Sequence, residues 1–205
     1  SYRNGFEGVA TFSRLNVSLD DTYNLMVSVR REGNSRFGEG NKYAVFPGLG
    51  LSADLVKALG LDVADALKLR VSYGVAGNLP GESYLSLERF AQQSSRFFYN
   101  GSFVPTYGPA SNANPNLQWE KQTDLNIGLD FSFMNYRLNG SLDFFNRTTS
   151  DLLYNVRVPV PPNLFGTTWV NLGEMQNTGL ELALNYNVIK KQNFSYDLAL
   201  TPTWY

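Results

Sequence analysis

The most constraining feature of this sequence is a strict alternation of apolar and polar residues, which is clearest in residues 124–133 (DLNIGLDFSF). Successive side chains of a β-strand lie on opposite faces of the sheet, so Leu125 and Ile127 share one face and Asn126 lies on the other. The stretch therefore predicts a strand with one apolar face and one hydrated face.

The same alternation recurs along the chain and predicts about eight antiparallel strands. They cover residues 6–19, 23–31, 42–52, 67–75, 124–133, 137–154, 178–188 and 194–205, with a short helix expected within residues 53–66. Tight turns and long loops alternate between these strands, and the longest loop covers residues 76–116. Outer-membrane barrels have short turns at one end and long loops at the other.

The composition excludes several classes of function. With 205 residues the chain suffices for one all-β domain or part of a larger one. It has no cysteine and no histidine, which removes disulfides, thiolate and imidazole catalysis and the common zinc sites. The net charge of -1 gives no reason to expect nucleic acid. No apolar run reaches the about 18 residues of a membrane-spanning helix, but a barrel strand needs only about ten alternating residues.

Alternation alone does not distinguish a membrane barrel from a soluble sandwich, because lipid or a second sheet could cover the apolar face. Two features favour the barrel. The predicted strands exceed the about 5–6 residues that are usual in globular sheets. Aromatic residues that suit a lipid interface also lie toward strand ends. They are Tyr23, Tyr73, Trp119, Tyr186, Tyr196 and Trp204.

Five longer segments carry a resemblance to a known family. They are KYAVFPGLGLS (42–52), LKLRVSYGVAGN (67–78), NPNLQWEKQTDLNIGLDF (114–131), GSLDFFNRTTSDLL (140–153) and NLGEMQNTGLELAL (171–184). In order and spacing they resemble the barrel of SusC-like (SusC/RagA family) TonB-dependent outer-membrane transporters. The resemblance covers nearly the whole chain.

This resemblance implies an importer in the outer membrane of a Gram-negative bacterium, with a transmembrane up-and-down barrel of about 22 strands. Residues 1–205 are then a partial barrel domain, and the plug domain and TonB box are expected to be absent from this chain. The implied partners are a SusD-like surface lipoprotein, the TonB complex acting through the plug, outer-membrane lipid, and a glycan or peptide substrate. No enzymatic activity, cofactor or metal site is expected.

Aromatic residues in the long loops are the candidate contacts for substrate or partner, because exposed rings stack on sugars and peptides or become buried under a protein lid. They are Phe97, Phe98, Tyr99, Phe103 and Tyr107 in the first long loop and Trp169 in the second. A loop that packs on itself in the barrel mouth is an equally open interpretation. The acidic residues of the polar faces are expected to line a wetted wall rather than to form a catalytic pair.

Two other functions remain open at this point. A self-contained barrel of about eight strands, with a structural or adhesive role, would need its first and last strands to pair. A soluble carbohydrate-binding sandwich would need its leucine and phenylalanine faces to stack on each other.

Overall fold

The computed structural model describes residues 5–205, so residues 1–4 of the predicted barrel domain lie outside the described part. The fold is antiparallel β-structure with one short helix, which confirms the all-β prediction. The strands are β1 (Gly8–Leu19), β2 (Tyr23–Asn34), β3 (Tyr43–Asp54), β4 (Ala66–Asn78), β5 (Phe90–Tyr99), β6 (Ser102–Pro109), β7 (Glu120–Phe133), β8 (Leu138–Ser150), β9 (Leu153–Arg157), β10 (Thr167–Asn171), β11 (Glu174–Lys191), β12 (Phe194–Leu200) and β13 (Thr203–Trp204), and the helix is α1 (Leu55–Leu59). Across residues 5–205, none of the helical structure has the length and apolar character needed to span a membrane.

One large sheet has the order β1-β2-β3-β4-β7-β8-β11-β12, and β13 continues β12 along β11. The break between β12 and β13 falls at Pro202, whose carbonyl still accepts a 3.0 Å hydrogen bond from the Leu182 N–H. The sheet thus has about eight physical strands, as predicted. Within residues 5–205 it is open, because β1 pairs only with β2 and β12 only with β11. The pairing that a self-contained small barrel requires is not seen.

The register aligns apolar side chains in rows across one face, which we call the apolar face. One row consists of Val17, Leu25, Leu51, Val71, Ile127, Phe144 and Leu180. These side chains are not covered by a second layer in residues 5–205: Leu51 remains 46% exposed and Ile127 41%. The stacked apolar faces of a soluble sandwich are therefore absent from this part of the chain.

The opposite face, which we call the polar face, carries ion pairs. Arg70 donates to the two carboxylate oxygens of Asp130 at 2.7 and 2.8 Å and to Asp143 at 3.0 Å. Gly128 lies beside this group, and a Cβ there would overlap the Asp143 carboxylate and come within 2.7 Å of the Arg70 guanidinium. Arg147 and Asp124 form a second pair at 2.8 Å. These contacts fix the register from the hydrated side.

The connections sort by length to opposite ends of the sheet, as predicted. Residues 20–22, 55–65, 134–137 and 192–193 form the short-turn end. There Asp20 and Asp21 have φ of 51° and 48°, and the Asp54 carboxylate caps α1 by accepting from the Lys57 N–H at 3.3 Å. Residues 35–42, 79–119 and 151–173 form the loop end. The segment 76–116 is not continuous loop: it begins with the end of β4 and contains the β5–β6 hairpin, while β9 and β10 form another hairpin in the next connection.

The buried core lies at the loop end. This mouth cluster consists of Phe37, Phe46, Leu85, Leu117 and Trp119. The Trp119 ring lies 4.8 Å from that of Phe37 and 5.4 Å from that of Phe46, and its indole N–H donates to the Lys42 carbonyl at 3.2 Å. The expectation that Trp119 sits at a lipid interface is wrong, because only 2% of the residue is exposed.

The reason is a split in the sheet at Pro47. The register between β3 and β4 ends at Gly48–Gly74, although both strands continue beyond it. The Asn34 N–H donates to the Lys42 carbonyl, so the backbone groups of Lys42 point toward β2. Because backbone groups alternate in direction along a strand, those of the even-numbered residues of β3 also point toward β2, and those of the odd-numbered residues point toward β4. Pro47 is odd-numbered and has no N–H, so it cannot complete the ladder with β4.

Beyond the split, the ends of β4 and β7 lean over the polar face of β3. Phe46 projects from the polar face of β3, and Val75 and Trp119 continue the apolar face of β4 and β7. These three side chains nevertheless pack together, because the ends of β4 and β7 lie above β3. Gly77 permits this approach, since a Cβ there would overlap the Phe46 ring and lie 2.8 Å from the Trp119 ring. Trp119 therefore lies on the apolar face, as predicted, but β3 covers that face at the loop end.

Candidate binding surface at the loop end

Asparagine side chains tie the segment 110–119 to the β9–β10 hairpin. The Asn112 amide donates to the Phe165 and Thr167 carbonyls at 2.6 and 2.9 Å. Its oxygen accepts from the backbone N–H groups of Leu164 and Phe165, both at 3.1 Å. Asn112 therefore replaces backbone pairing between two chain segments more than 50 positions apart.

Asn114 and Asn171 extend this connection. The Asn114 amide donates to the Trp169 carbonyl at 2.8 Å. Asn171 accepts from the Gln118 N–H at 2.9 Å and donates to the carbonyls of Gln118 and Asp151 at 2.8 and 2.9 Å. We call the segment 110–119 and the β9–β10 hairpin, joined in this way, the collar. Its bonds are specific in direction, so the two loops hold one relative position.

Trp169 belongs to the collar rather than to a free aromatic surface. Its side chain is half-buried and packs against the mouth cluster. The sequence predicts the same contact role for Trp169, in the second long loop, as for the aromatic residues of the first. The structure places Trp169 on β10, apart from those residues.

The other predicted contact residues lie on the β5–β6 hairpin and remain exposed. Their exposed fractions run from 59% for Phe98 to 67% for Tyr99 and Tyr107, with Phe97 and Phe103 in between. Phe98 pairs with Phe103 beside the turn, with ring centroids 5.1 Å apart in an edge-on arrangement. The hairpin thus presents its rings outward instead of packing them into the mouth cluster.

The hairpin is attached mainly at its base. The Ala110 N–H donates to the Arg89 carbonyl at 2.7 Å, and the Arg89 side chain donates to the Ser111 hydroxyl at 3.0 Å. At the tip, Asn100 and Gly101 have φ of 48° and 78°, the left-handed pair that a two-residue hairpin turn requires. An Asn-Gly turn of this kind is the sequence pattern that could have predicted the hairpin.

Three acidic residues of the polar face, Asp124, Asp130 and Asp143, are engaged in ion pairs and are not free carboxylates. Asp130 and Asp143 share Arg70, and Asp124 pairs with Arg147. Among residues 5–205, no group of three or more His, Cys, Asp or Glu side chains is placed to hold a metal ion.

The family assignment follows from comparison with known proteins. All residues from 1 to 205 match the family model described as TonB dependent receptor-like, beta-barrel. The chain belongs to this family. It is 35% identical to the TonB-dependent receptor SusC of Bacteroides thetaiotaomicron over 202 residues, which cover 96% of the chain and 20% of that protein. TonB-dependent receptor P39 of Formosa agariphila is 34% identical over 190 residues, which cover 90% of the chain and 18% of that protein.

Solved structures of TonB-dependent proteins agree with the open sheet. The structure of the RagAB peptide transporter superposes with a TM-score of 0.83 at 29% identity, and the match covers 96% of this chain and 21% of that one. The siderophore receptor PirA from Acinetobacter baumannii, at 14% identity and a TM-score of 0.65, shares the fold. The chain spans about a fifth of the length of the TonB-dependent receptor relatives it matches. Its sheet is therefore part of a larger barrel.

Proposed function

We propose that this chain forms part of the barrel wall of a TonB-dependent importer in the outer membrane of a Gram-negative bacterium, which takes up glycans or peptides together with a SusD-like lipoprotein. The observation that carries the proposal is the uncovered apolar face. Its leucine, valine and isoleucine rows cross the whole sheet, whereas monomeric soluble proteins rarely expose apolar patches above a few hundred Å². Lipid chains cover such a face in a membrane barrel.

The polar face then lines the interior, where ion pairs such as Arg70–Asp130 stay in contact with water or with the plug. The plug would be supplied by other parts of the protein, and it would receive the pull of the TonB complex. The lengths of the connections support an orientation in which the long loops face the outside of the cell and the short turns face the periplasm.

The exposed rings of the β5–β6 hairpin suit either a substrate or a lid. Phe97, Phe98, Tyr99, Phe103 and Tyr107 could stack on sugar rings or peptide side chains, and a lipoprotein lid would bury the same surface. Trp169 would support this surface from the collar. One of the similar structures is that of a peptide transporter, which favours an uptake role.

The membrane assignment can be tested by labelling neighbouring positions of one strand. This segment has no cysteine, so single cysteines can be introduced into the full-length protein once any cysteine elsewhere is replaced. A spin label at Ile127→Cys should collide preferentially with oxygen dissolved in lipid, and a label at the adjacent Asn126→Cys with a water-soluble nickel chelate. Equal access of the chelate to both labels would contradict a lipid-covered face.

The partner assignment needs a separate experiment. The full-length protein, tagged and purified from native outer membranes, should retain a surface lipoprotein that mass spectrometry identifies. Replacing the five hairpin rings by alanine should weaken this retention or substrate uptake without reducing the amount of assembled barrel. A matched variant with Tyr154→Ala, an exposed ring on β9, should behave like the unmodified protein. Unchanged retention and uptake in the hairpin variant would exclude the rings as contacts.

A further inference from the structure

A cleft opens at the split between β3 and β4, on the polar side of the sheet. It has a volume of about 460 Å³. One wall is formed by side chains from β1 and β2, and the other by the leaning end of β4. Phe46 and Pro47 of β3 and Trp119 also line the cleft. The lining residues used below are Phe12, Arg30, Glu32, Gly74, Val75 and Gly77.

The wall contributed by β4 is a free strand edge. From Val75 to Asn78, β4 pairs with β7 on one side, while its register with β3 has already ended at Gly74. Alternation along β4 continues from the β3-facing side, so the backbone groups of Val75 and Gly77 point to the side that β3 has left. The Val75 carbonyl and both backbone groups of Gly77 thus form a short edge without a neighbouring strand.

The opposite wall has charged and aromatic groups. Arg30 and Glu32 form an ion pair of 2.7 Å, and the Arg30 side chain is still 53% exposed. Phe12 presents its ring nearby. Gly74 has no atom within 4 Å of the position that a Cβ would occupy, so the polar face of β4 is open beside the cleft. At Gly77 the Phe46 ring lies against the opposite face of the strand, which leaves the edge itself uncovered.

We propose that this cleft binds an extended peptide segment, which adds to the free edge of β4 as a further strand. A strand edge offers alternating donors and acceptors at the spacing of a peptide backbone, which a sugar chain does not reproduce. Arg30 and Glu32 can pair with a carboxylate and an ammonium group of the same peptide. The inference rests on the proposed importer function, since it places the cleft along the aqueous interior, and it narrows the substrate class to peptides.

Filling the cleft provides the first test. The full-length protein is incubated with a tryptic digest of casein, and retained peptides are quantified by mass spectrometry, in parallel with a mixture of malto-oligosaccharides. Gly74→Trp should reduce peptide retention at least tenfold. Gly166→Trp, which also has free space around it but lies in the β9–β10 loop, should retain peptides like the unmodified protein. Equal retention by both variants, or retention of oligosaccharides only, would overturn the inference.

Backbone methylation provides the second test, because it reports on strand addition itself. The most strongly retained peptide is resynthesised with N-methyl groups on alternate amides, in two complementary patterns. The pattern that removes the hydrogen bonds to β4 should weaken binding about tenfold, and the other should have little effect. Equal weakening by both patterns would exclude edge pairing. If the spin label at position 127 is not more accessible to oxygen in lipid than to the nickel chelate, the importer proposal is contradicted. If only the two peptide tests fail, the peptide cleft alone is contradicted.

Discussion

Trp119 should hold the loop end of the barrel together, and its substitution gives a graded prediction. The indole is almost fully buried between Phe37 and Phe46 and connects residues 37–46 to the distant segment that precedes β7. Trp119→Ala removes both the ring packing and the N–H group, whereas Trp119→Phe keeps one aromatic ring and removes the hydrogen bond to the Lys42 carbonyl together with the remaining part of the indole.

The expected magnitudes differ because the two losses are different in kind. Removal of a buried tryptophan side chain costs about 3–5 kcal/mol. Loss of the indole hydrogen bond costs about 1 kcal/mol or less, since the Lys42 carbonyl keeps a second donor, the Asn34 N–H at 2.9 Å. Trp119→Phe also loses part of the ring packing, but far less than Trp119→Ala does, so we expect Trp119→Ala to destabilise the mouth cluster more strongly.

Hydrogen exchange of the full-length protein measures this directly, because local opening controls exchange in such a cluster. In Trp119→Ala, amides of residues 35–42 and 112–118 should exchange roughly a hundredfold to a thousandfold faster, the ratio that about 3–4 kcal/mol implies. Amides of residues 124–133 in β7 should be unchanged and serve as the internal control. The reasoning is refuted if both variants accelerate exchange equally, or if the loop segments are unaffected.

Further substitutions test the two faces and the collar. Ile127→Arg places a charge on the apolar face and should destabilise the barrel by about 2–4 kcal/mol, whereas Asn126→Arg on the polar face should assemble normally. The folded fraction of each variant can be read from its heat-modifiable mobility on gels. Equal losses in the two variants would contradict the assignment of faces. Arg70→Met leaves two neighbouring carboxylates, Asp130 and Asp143, without their cation. Because both are partly hydrated, this change should lower the free energy of unfolding by about 1–3 kcal/mol. The loss should exceed that of Arg147→Met, which leaves only one carboxylate without its partner. Thermal unfolding gives the order, and a reversed order would contradict the ion-pair interpretation. Asn112→Ala removes four hydrogen bonds between two loops and should accelerate proteolysis within residues 151–173 without affecting barrel assembly; unchanged cleavage would show that the collar is held by other contacts.

The regular part of the wall could be predicted from the sequence because strand alternation is rigid. Once Ile127 faces one side, every second residue of β7 must share that side, and pairing extends the assignment to Val71 and Phe144. The ion pairs between Arg70 and its two aspartates could not be predicted, because they depend on the register of three strands rather than on the pattern of any one.

The loop end could be predicted only in part. The sequence shows that Pro47 weakens a strand, but the inward lean of β4 depends on the contact of Phe46 with Trp119, which is 73 positions away along the chain. The β5–β6 hairpin was missed because successive rings such as Phe97 and Phe98 occupy both faces and obscure the alternation. The partners of Asn112 are equally hidden, since a side-chain amide bonds to backbone groups of almost any residue type.

The collar and the β5–β6 hairpin differ in mechanical stiffness. Asn112, Asn114 and Asn171 fasten two loops into one body, so displacement of either loop must carry the other with it. Among the described residues, the hairpin is bonded to the rest of the chain near Arg89 and Ala110, so we expect it to move about that point more easily than the collar does. We therefore expect a solute that approaches from the loop end to displace the β5–β6 hairpin first. The collar would resist the solute only after the hairpin has moved.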